Sequence, residues 1–393
     1  MKQSPLLPIF LIVLVDILGL TIMLPLLPFY AEHLGASATV IGLLTASYAF
    51  CQLIAGPILG KLSDSMGRKP LLIVSQIGTL IGFLILAASN NLWLVFLSRI
   101  IDGLTAGNLS LAQAYIADVT EPENRTKSFA VIGIAFGIGF LVGPGISGYL
   151  SQFGYTWPIL AAACLSATSI LCTATLLPKV EPHRDDVGGP GGQRLGVLDW
   201  KGYTKYFATP GLGPLLWQFF FFAFSFSLFI GGFALFSERR VGMGPKEVGY
   251  VFAWVGFLGI ILQGFLIGRL VKAVGERTLV WSGFFVSATS SIWLAGVRTL
   301  PQMLANATYG SWGTGVIRPA LTALISHKAG KREQGVVLGL TQSITSICQI
   351  AAPLLAGAFI DRGWLAAWAL TGSAVAFCGM VVALRSRDAA AAS

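Results

Sequence analysis

The chain has 393 residues, of which 55% are hydrophobic and 11% charged, against about 25% charged in an ordinary soluble domain. A water-soluble fold is excluded, and at roughly 20 apolar residues per bilayer crossing the length accommodates about a dozen helical spans. The net charge of +9 fits basic loops on one side of a membrane rather than nucleic-acid binding.

Apolar stretches recur at 6–31, 38–59, 70–89, 92–117, 127–150, 155–177, 213–236, 247–267, 279–297, 299–325, 334–360 and 363–384. The pattern predicts an all-α integral membrane protein of twelve transmembrane helices. The runs are about twice the ~10 residues of a barrel strand and do not alternate, which excludes a β-barrel. The first run follows Lys2 as a signal peptide would. It is too long for one and carries Asp16, so it reads as a retained helix. Cys51, Cys164, Cys172, Cys348 and Cys378 all lie in apolar runs without Cys-x-x-Cys spacing, and His33, His183 and His327 are far apart. No metal site, disulfide framework or cofactor is expected.

With the N-terminus inside, 19 of the 26 Lys and Arg residues fall in cytoplasmic segments, five in outer ones, and Arg99 and Arg318 within spans. This bias places both termini in the cytoplasm. Residues 178–212 break the apolar pattern with charges, four prolines and the run Val187-Gly-Gly-Pro-Gly-Gly192. They read as a cytoplasmic linker. Its later part, Val197–Tyr203, suits a short interfacial helix or a loop equally well. The linker separates a six-helix half, 1–177, from a second, 213–393. The halves look like copies of one unit. Gly60-Lys-Leu-Ser-Asp-Ser-Met-Gly-Arg-Lys69 aligns with Gly268-Arg-Leu-Val-Lys-Ala-Val-Gly-Glu-Arg277, and Pro144 and Gly148 align with Pro353 and Gly357. Parallel repeats of this kind mark transporters that rock about a central site.

Four motifs carry a family resemblance. The first span holds Asp16-x-x-Gly19 followed by Pro25-x-x-Pro28, and the loop after the second reads Gly60-Lys-Leu-Ser-Asp64-Ser-Met-Gly67-Arg68-Lys69-Pro70. The fourth holds Arg99-Ile-Ile-Asp102-Gly103-x-x-x-Gly107, and the fifth Gly139-x-x-x-Gly143-Pro144-x-x-x-Gly148. Over nearly its whole length the chain resembles the major facilitator superfamily, and within it the drug:proton antiporter branch that includes tetracycline exporters. The resemblance implies two halves around a central cavity and alternating access. It also implies that Arg68 pairs with an acid such as Asp118 to lock the cytoplasmic side in one state, with Gly60, Asp64 and Gly67 shaping the loop. The alternative for the basic loop residues is topology alone. In the second half Lys272 stands at the position of Asp64, so the same anion contact is not expected there. For Gly139, Gly143, Pro144 and Gly148 the resemblance implies a seal against leak, and close helix packing is the competing reading. One departure is informative. Leu71–Ser89 and Leu279–Val297 hold no acid where the tetracycline exporters carry one, which points to a different substrate.

Asp16, Arg99, Asp102 and Arg318 lie deep in spans, where an unpaired charge costs at least about 2.5–3.5 kcal/mol. Such groups face a cavity or one another. Asp102 is one turn from Arg99 and on the same helix face. Asp16 sits about 11 residues into its helix, ~16 Å along it and near mid-bilayer. We expect Asp16, Asp102 and Arg99 to handle protons, with Asp16 the carrier because Arg99 pairs with Asp102. A static structural pair is the alternative. Gln52, Asn108, Gln113, Trp312, Arg318 and Gln342 are candidates to line a substrate cavity, packing hydrogen bonds being the alternative for the polar ones. The expected function is proton-coupled antiport, an efflux of a small amphiphilic compound. Nutrient uptake or facilitated diffusion on the same fold is the runner-up. No Ser/His/Asp set, His-Glu-x-x-His, dinucleotide fingerprint or P-loop appears, so an enzyme or an ATP-driven pump is not expected. The expected setting is a monomer in the bacterial inner membrane, with protons, a small-molecule substrate and lipid as partners and no nucleic acid.

Overall fold

A computed structural model describes residues 6–119, 125–178 and 200–391. Every described element is a helix. In chain order they are α1 Leu6–His33, α2 Ala38–Met66, α3 Arg68–Ala87, α4 Leu92–Leu104, α5 Asn108–Val119, α6 Arg125–Leu150 and α7 Thr156–Leu176. Then come α8 Trp200–Ala208, α9 Gly213–Val241, α10 Pro245–Ile261, α11 Ile267–Val274, α12 Glu276–Gly296, α13 Leu300–Asp361 and α14 Leu365–Ala391. Among the described residues, eleven stretches are long and apolar enough to cross a membrane. The helical bias is a matter of solvation, because lipid offers no partner for backbone N–H and C=O groups and a helix satisfies them internally.

Three elements differ from the twelve simple spans expected. The fourth span is broken at Thr105–Gly107 into α4 and α5. Ser75 of α3 meets the freed backbone groups: its hydroxyl donates to the Thr105 carbonyl and accepts from the Gly107 N–H at 3.0 Å. The eighth span carries a π-helical turn, Leu262–Leu266, between α10 and α11. The tenth and eleventh spans are joined as one continuous helix of 62 residues, α13, which also takes in the short polar stretch between them. In the segment between the halves, the described part contains α8. Of the expected stretch Val197–Tyr203, residues 200–203 begin this helix, while 197–199 and the glycine-rich run 187–192 lie outside the described residues.

The chain divides into two compact units. One comprises 1–36, 47–187 and 244–257, and the other 37–46, 188–243 and 258–393. The same packing recurs in each. In the first, α1 lies against α6 and α7, and α3 against α7 and α4; in the second, α9 lies against α13 and α14, and α12 against α14 and α13. The apolar core of the first unit includes Ile12, Ile17, Leu72, Leu111 and Tyr115. That of the second includes Leu216, Phe284, Ile317, Leu321 and Cys348. The aligned loops also share a conformation. Gly67 and Gly275, equivalent in the internal repeat, both take positive φ, +94° and +79°, at the N-terminal edges of α3 and α12. That region suits glycine, so these positions fix the turn.

The units exchange short segments relative to the sequence halves. Within the first unit, Gly148 of α6 meets Gly249 of α10, and a Cβ at Gly148 would stand 3.4 Å from the Gly249 Cα. Within the second, the start of α2 packs on the end of α13. There Asp361 accepts from the Ala38 and Thr39 N–H groups at 2.7 and 2.8 Å, satisfying donors that begin a helix. Gly148 and Gly357 are the aligned pair of the repeat, and Gly357 meets Ala38 and Thr39. Basic residues close other helix ends: Lys69 donates to the Ala174 and Leu177 carbonyls at the end of α7, and Arg240 to Ala295 and Val297 at the end of α12.

Candidate functional site

Five helices of the first unit bring polar groups together in an apolar surround. Arg99 and Asp102 of α4 are buried, at 6% and 7% exposure, and the Arg99 Nη1 stands 3.4 Å from the Asp102 Oδ2. One turn of helix puts both side chains on one face, so the pair forms locally. Thr79 of α3 lies beside the Asp102 carboxylate. Tyr48 of α2 is within electrostatic reach of both members of the pair. The crossing of α2 and α4 is close because position 103 is glycine; a Cβ there would stand 2.7 Å from the Tyr48 carbonyl and 2.8 Å from the Cys51 Cβ. The Arg99 Nη2 is buried without a hydrogen-bond partner.

Asp16 of α1 is half-buried and within electrostatic reach of Asp102. The side chains of Gln76 on α3 and Ser169 on α7 lie beside its carboxylate. These two are themselves joined, Gln76 Nε2 donating to Ser169 Oγ at 2.7 Å. The cluster therefore holds two carboxylates and one guanidinium. With both acids ionised its formal charge is −1, and one added proton makes it neutral, since arginine stays charged.

The remaining sequence candidates fall in several places. Arg68 Nε donates to Asp118 Oδ2 at 2.9 Å, and Arg68 Nη1 donates to Ser63 Oγ. Asp64 lies in α2, and its side chain is outside the described residues; Gly60 is on the same helix. Gln52 is half-buried and donates to the Tyr48 hydroxyl at 3.5 Å. Asn108 opens α5, with its Oδ1 buried and unpartnered. Gln113 and Gln342 are exposed, Trp312 packs against the core of the second unit, and Arg318 is exposed on that unit. The acidic pair and Arg99 are thus brought together with Gln52 nearby through Tyr48. Trp312, Arg318 and Gln342 belong to the other unit.

Sequence reasoning missed Gln76, Thr79, Ser169 and Tyr48. Gln76 carried a usable signal, an amide within an apolar run like the other amides singled out. Ser169, Thr79 and Tyr48 carried none, since hydroxyls are common in spans and most bond their own helix. Thr173 shows this default, donating to the Ser169 carbonyl at 2.9 Å.

The glycines of α6 have a defined neighbour. Thr21 of α1 donates to the Gly139 carbonyl at 2.9 Å and to the Ile17 carbonyl at 2.8 Å. A Cβ added at Gly143 would collide with the Thr21 side chain and stand 3.3 Å from the Ile22 nitrogen; one at Gly139 would collide with Ile17. Pro144 lies inside α6 and has no N–H to donate there, and its carbonyl would stand 2.6 Å from a Cβ at Gly249. We expect Gly143→Val to destabilise the protein by about 1–3 kcal/mol through overpacking, and Thr21→Ala to recover part of it. A double-mutant cycle on thermal unfolding in detergent checks this; strictly additive effects would contradict the contact.

Comparison with known proteins gives consistent results. A family model described as the Major Facilitator Superfamily matches residues 9–266 and 216–393. The tetracycline resistance protein, class B, of Escherichia coli is 31% identical, covering 88% of this chain and 85% of its own. The quinolone resistance protein NorA of Staphylococcus aureus is 27% identical over 88% and 87% of the two chains. Among solved structures, the human organic anion transporter MFSD10 (TETRAN) superposes with a TM-score of 0.73 at 24% identity, covering 96% of this chain and 98% of its own.

Proposed function

The chain belongs to the Major Facilitator Superfamily, and on that premise we propose that it is a secondary active transporter that exports a small amphiphilic compound in exchange for protons. Its relatives named for tetracycline and quinolone resistance support efflux as the direction. The observation that carries the reading is the charge balance of the Asp16, Asp102 and Arg99 cluster. A single proton changes it from net negative to neutral, and a transporter needs such a group to link a proton gradient to movement. The setting that fits is the inner membrane of a bacterium, with both termini cytoplasmic, a reading the basic-residue bias supports. A monomer is sufficient, since the cluster is built within one chain. The halves 1–177 and 213–393 would rock against each other, with the segment between as tether. Arg68 and Asp118 would close the cytoplasmic side in one state.

The experiment is transport by the purified protein in sealed vesicles, with an imposed pH gradient and a panel of amphiphilic antibiotics and dyes. We expect uphill accumulation of at least one compound that collapses with a protonophore. Uptake or exchange indifferent to the gradient would favour facilitated diffusion and sink the antiport reading.

A further inference from the structure

Gln76 is fully buried at 0% exposure, in contact with Ser169, also at 0%. Its Nε2 donates to Ser169 Oγ at 2.7 Å, while its Oε1 is buried and receives no hydrogen bond. Buried acceptors almost always find a donor, and an orphan one calls for a reason. The neighbouring groups supply it. An ionised carboxylate only accepts hydrogen bonds, so it can use the amide N–H but can offer Oε1 nothing. A protonated carboxyl has one O–H to donate. The side chain is anchored for a choice between the two. Ser166 donates to the Gln76 carbonyl at 3.3 Å, which holds the backbone. The Ser169 hydroxyl points at the Ile12 carbonyl across a long 3.4 Å bond and can turn.

We propose that Gln76 is a positioning residue for the proton-carrying carboxyl of Asp16: with one Nε2 hydrogen held by Ser169, it offers the other to the ionised form and, after rotation of the amide, the otherwise donor-free Oε1 to the protonated form. The inference rests on Asp16 being the proton carrier. The proton comes from and returns to water, and the amide changes only its orientation. In each protonation state the carboxyl then has a matched partner, so neither is stranded in an apolar interior. On α1 itself Tyr30 donates to the Ser89 carbonyl at 2.6 Å, and Glu32 and His33 lie in the last turn. Asp102 is the charge that reaches Asp16, Arg99 stands against Asp102, and Tyr48 is within electrostatic reach of those two. On α7, Cys164 is exposed and Cys172 packs at the edge of the apolar core; on α6, Tyr149 is exposed. Tyr115 of α5 donates to the Pro178 carbonyl, and Arg68, Lys69 and Asp118 lie at helix ends.

The test uses the full chain in vesicles with three readings. In Gln76→Met, which keeps the length and removes the amide, the pH of half-maximal gradient-driven transport should move upward by roughly one unit, because the charge-assisted bond lost from the ionised form is the stronger one. The protonated-carboxyl infrared band, identified by its loss in Asp16→Asn, should shift in the same variant. If Gln76→Met does not fold, wild-type protein with isotope-labelled glutamine serves. A side-chain amide carbonyl band should then change across the titration and be silent in Asp16→Asn. A purely structural link from α3 to α7 would leave band and midpoint in place, and that result, with Asp16→Asn uncoupled, overturns the role of Gln76 alone. Full pH-driven accumulation in Asp16→Asn would remove the carrier reading and this one with it.

Discussion

Asp16→Asn is expected to abolish proton-driven accumulation, down to the level of empty vesicles, while downhill exchange of substrate persists. The argument is one of charge. A charge held away from water costs about 2.5–3.5 kcal/mol on insertion scales, and each 1.4 kcal/mol is tenfold in population. A rearrangement that carries ionised Asp16 through an apolar interior is therefore disfavoured by on the order of 100-fold relative to one with a neutral side chain. Asparagine is neutral at every pH, so the step is always permitted and no longer waits for a proton. The variant keeps shape and hydrogen bonding close to those of the protonated acid, with Gln76 and Ser169 still in reach. Asp102→Asn should behave differently. Asp102 is the partner of buried Arg99 at 3.4 Å, and removing one member of a buried pair leaves an uncompensated charge worth about 3–5 kcal/mol. Its main effect should be loss of stable protein. Parallel vesicle assays and thermal unfolding of the two variants separate the roles. Full pH-driven accumulation in Asp16→Asn would remove this residue from the mechanism.

Much of the fold was legible because lipid imposes a simple rule. A continuous apolar run of about 20 residues has few alternatives to a helix, and α1, α2, α7, α9 and α14 begin within a few residues of where hydropathy placed them. The internal repeat was legible through its glycines. Gly67 and Gly275 share a positive φ, and Gly148 and Gly357 each receive the start of another helix. The break between α4 and α5 was not legible. Thr105-Ala-Gly107 is unremarkable within an apolar span, and what makes the break affordable is Ser75, thirty positions earlier, meeting its backbone groups. The continuity of α13 was hidden for the opposite reason. A polar stretch between two apolar runs signals a loop, yet lysine, arginine, glutamate and glutamine are good helix formers. In the site, charged residues announced themselves by cost, and Arg99 with Asp102 by spacing. The partners of Asp16 come from α3 and α7, and their approach depends on how three helices pack, which no periodicity encodes.

The second large effect is expected at the loop pair. Asp118→Asn should slow transport severalfold while leaving unfolding temperature nearly unchanged. The side chains of Arg68 and Asp118 are 15% and 27% exposed, and a partly solvated pair contributes only about 0–1 kcal/mol to stability. On the proposed function the pair would act on an equilibrium between conformations, and its consequence for transport would then exceed its contribution to folding. A bias of 1 kcal/mol already changes a two-state ratio about fivefold. Geometry favours a switchable tie. Gly67 turns the chain at φ +94° so that Arg68 begins α3. From there its guanidinium reaches Ser63 near the end of α2 and Asp118 near the end of α5 through different nitrogens. Three helix ends are thus joined by one side chain, whose planar fork sets two partners at fixed angles through separate nitrogens. Arg68→Lys keeps the charge and loses the fork, so it should slow transport about as much as Asp118→Asn. If the residues act only as topology charges, Arg68→Lys would transport normally and Asp118→Asn would be silent. Initial rates of gradient-driven transport for the two variants, beside their unfolding temperatures, decide between a conformational tie and a simple basic loop.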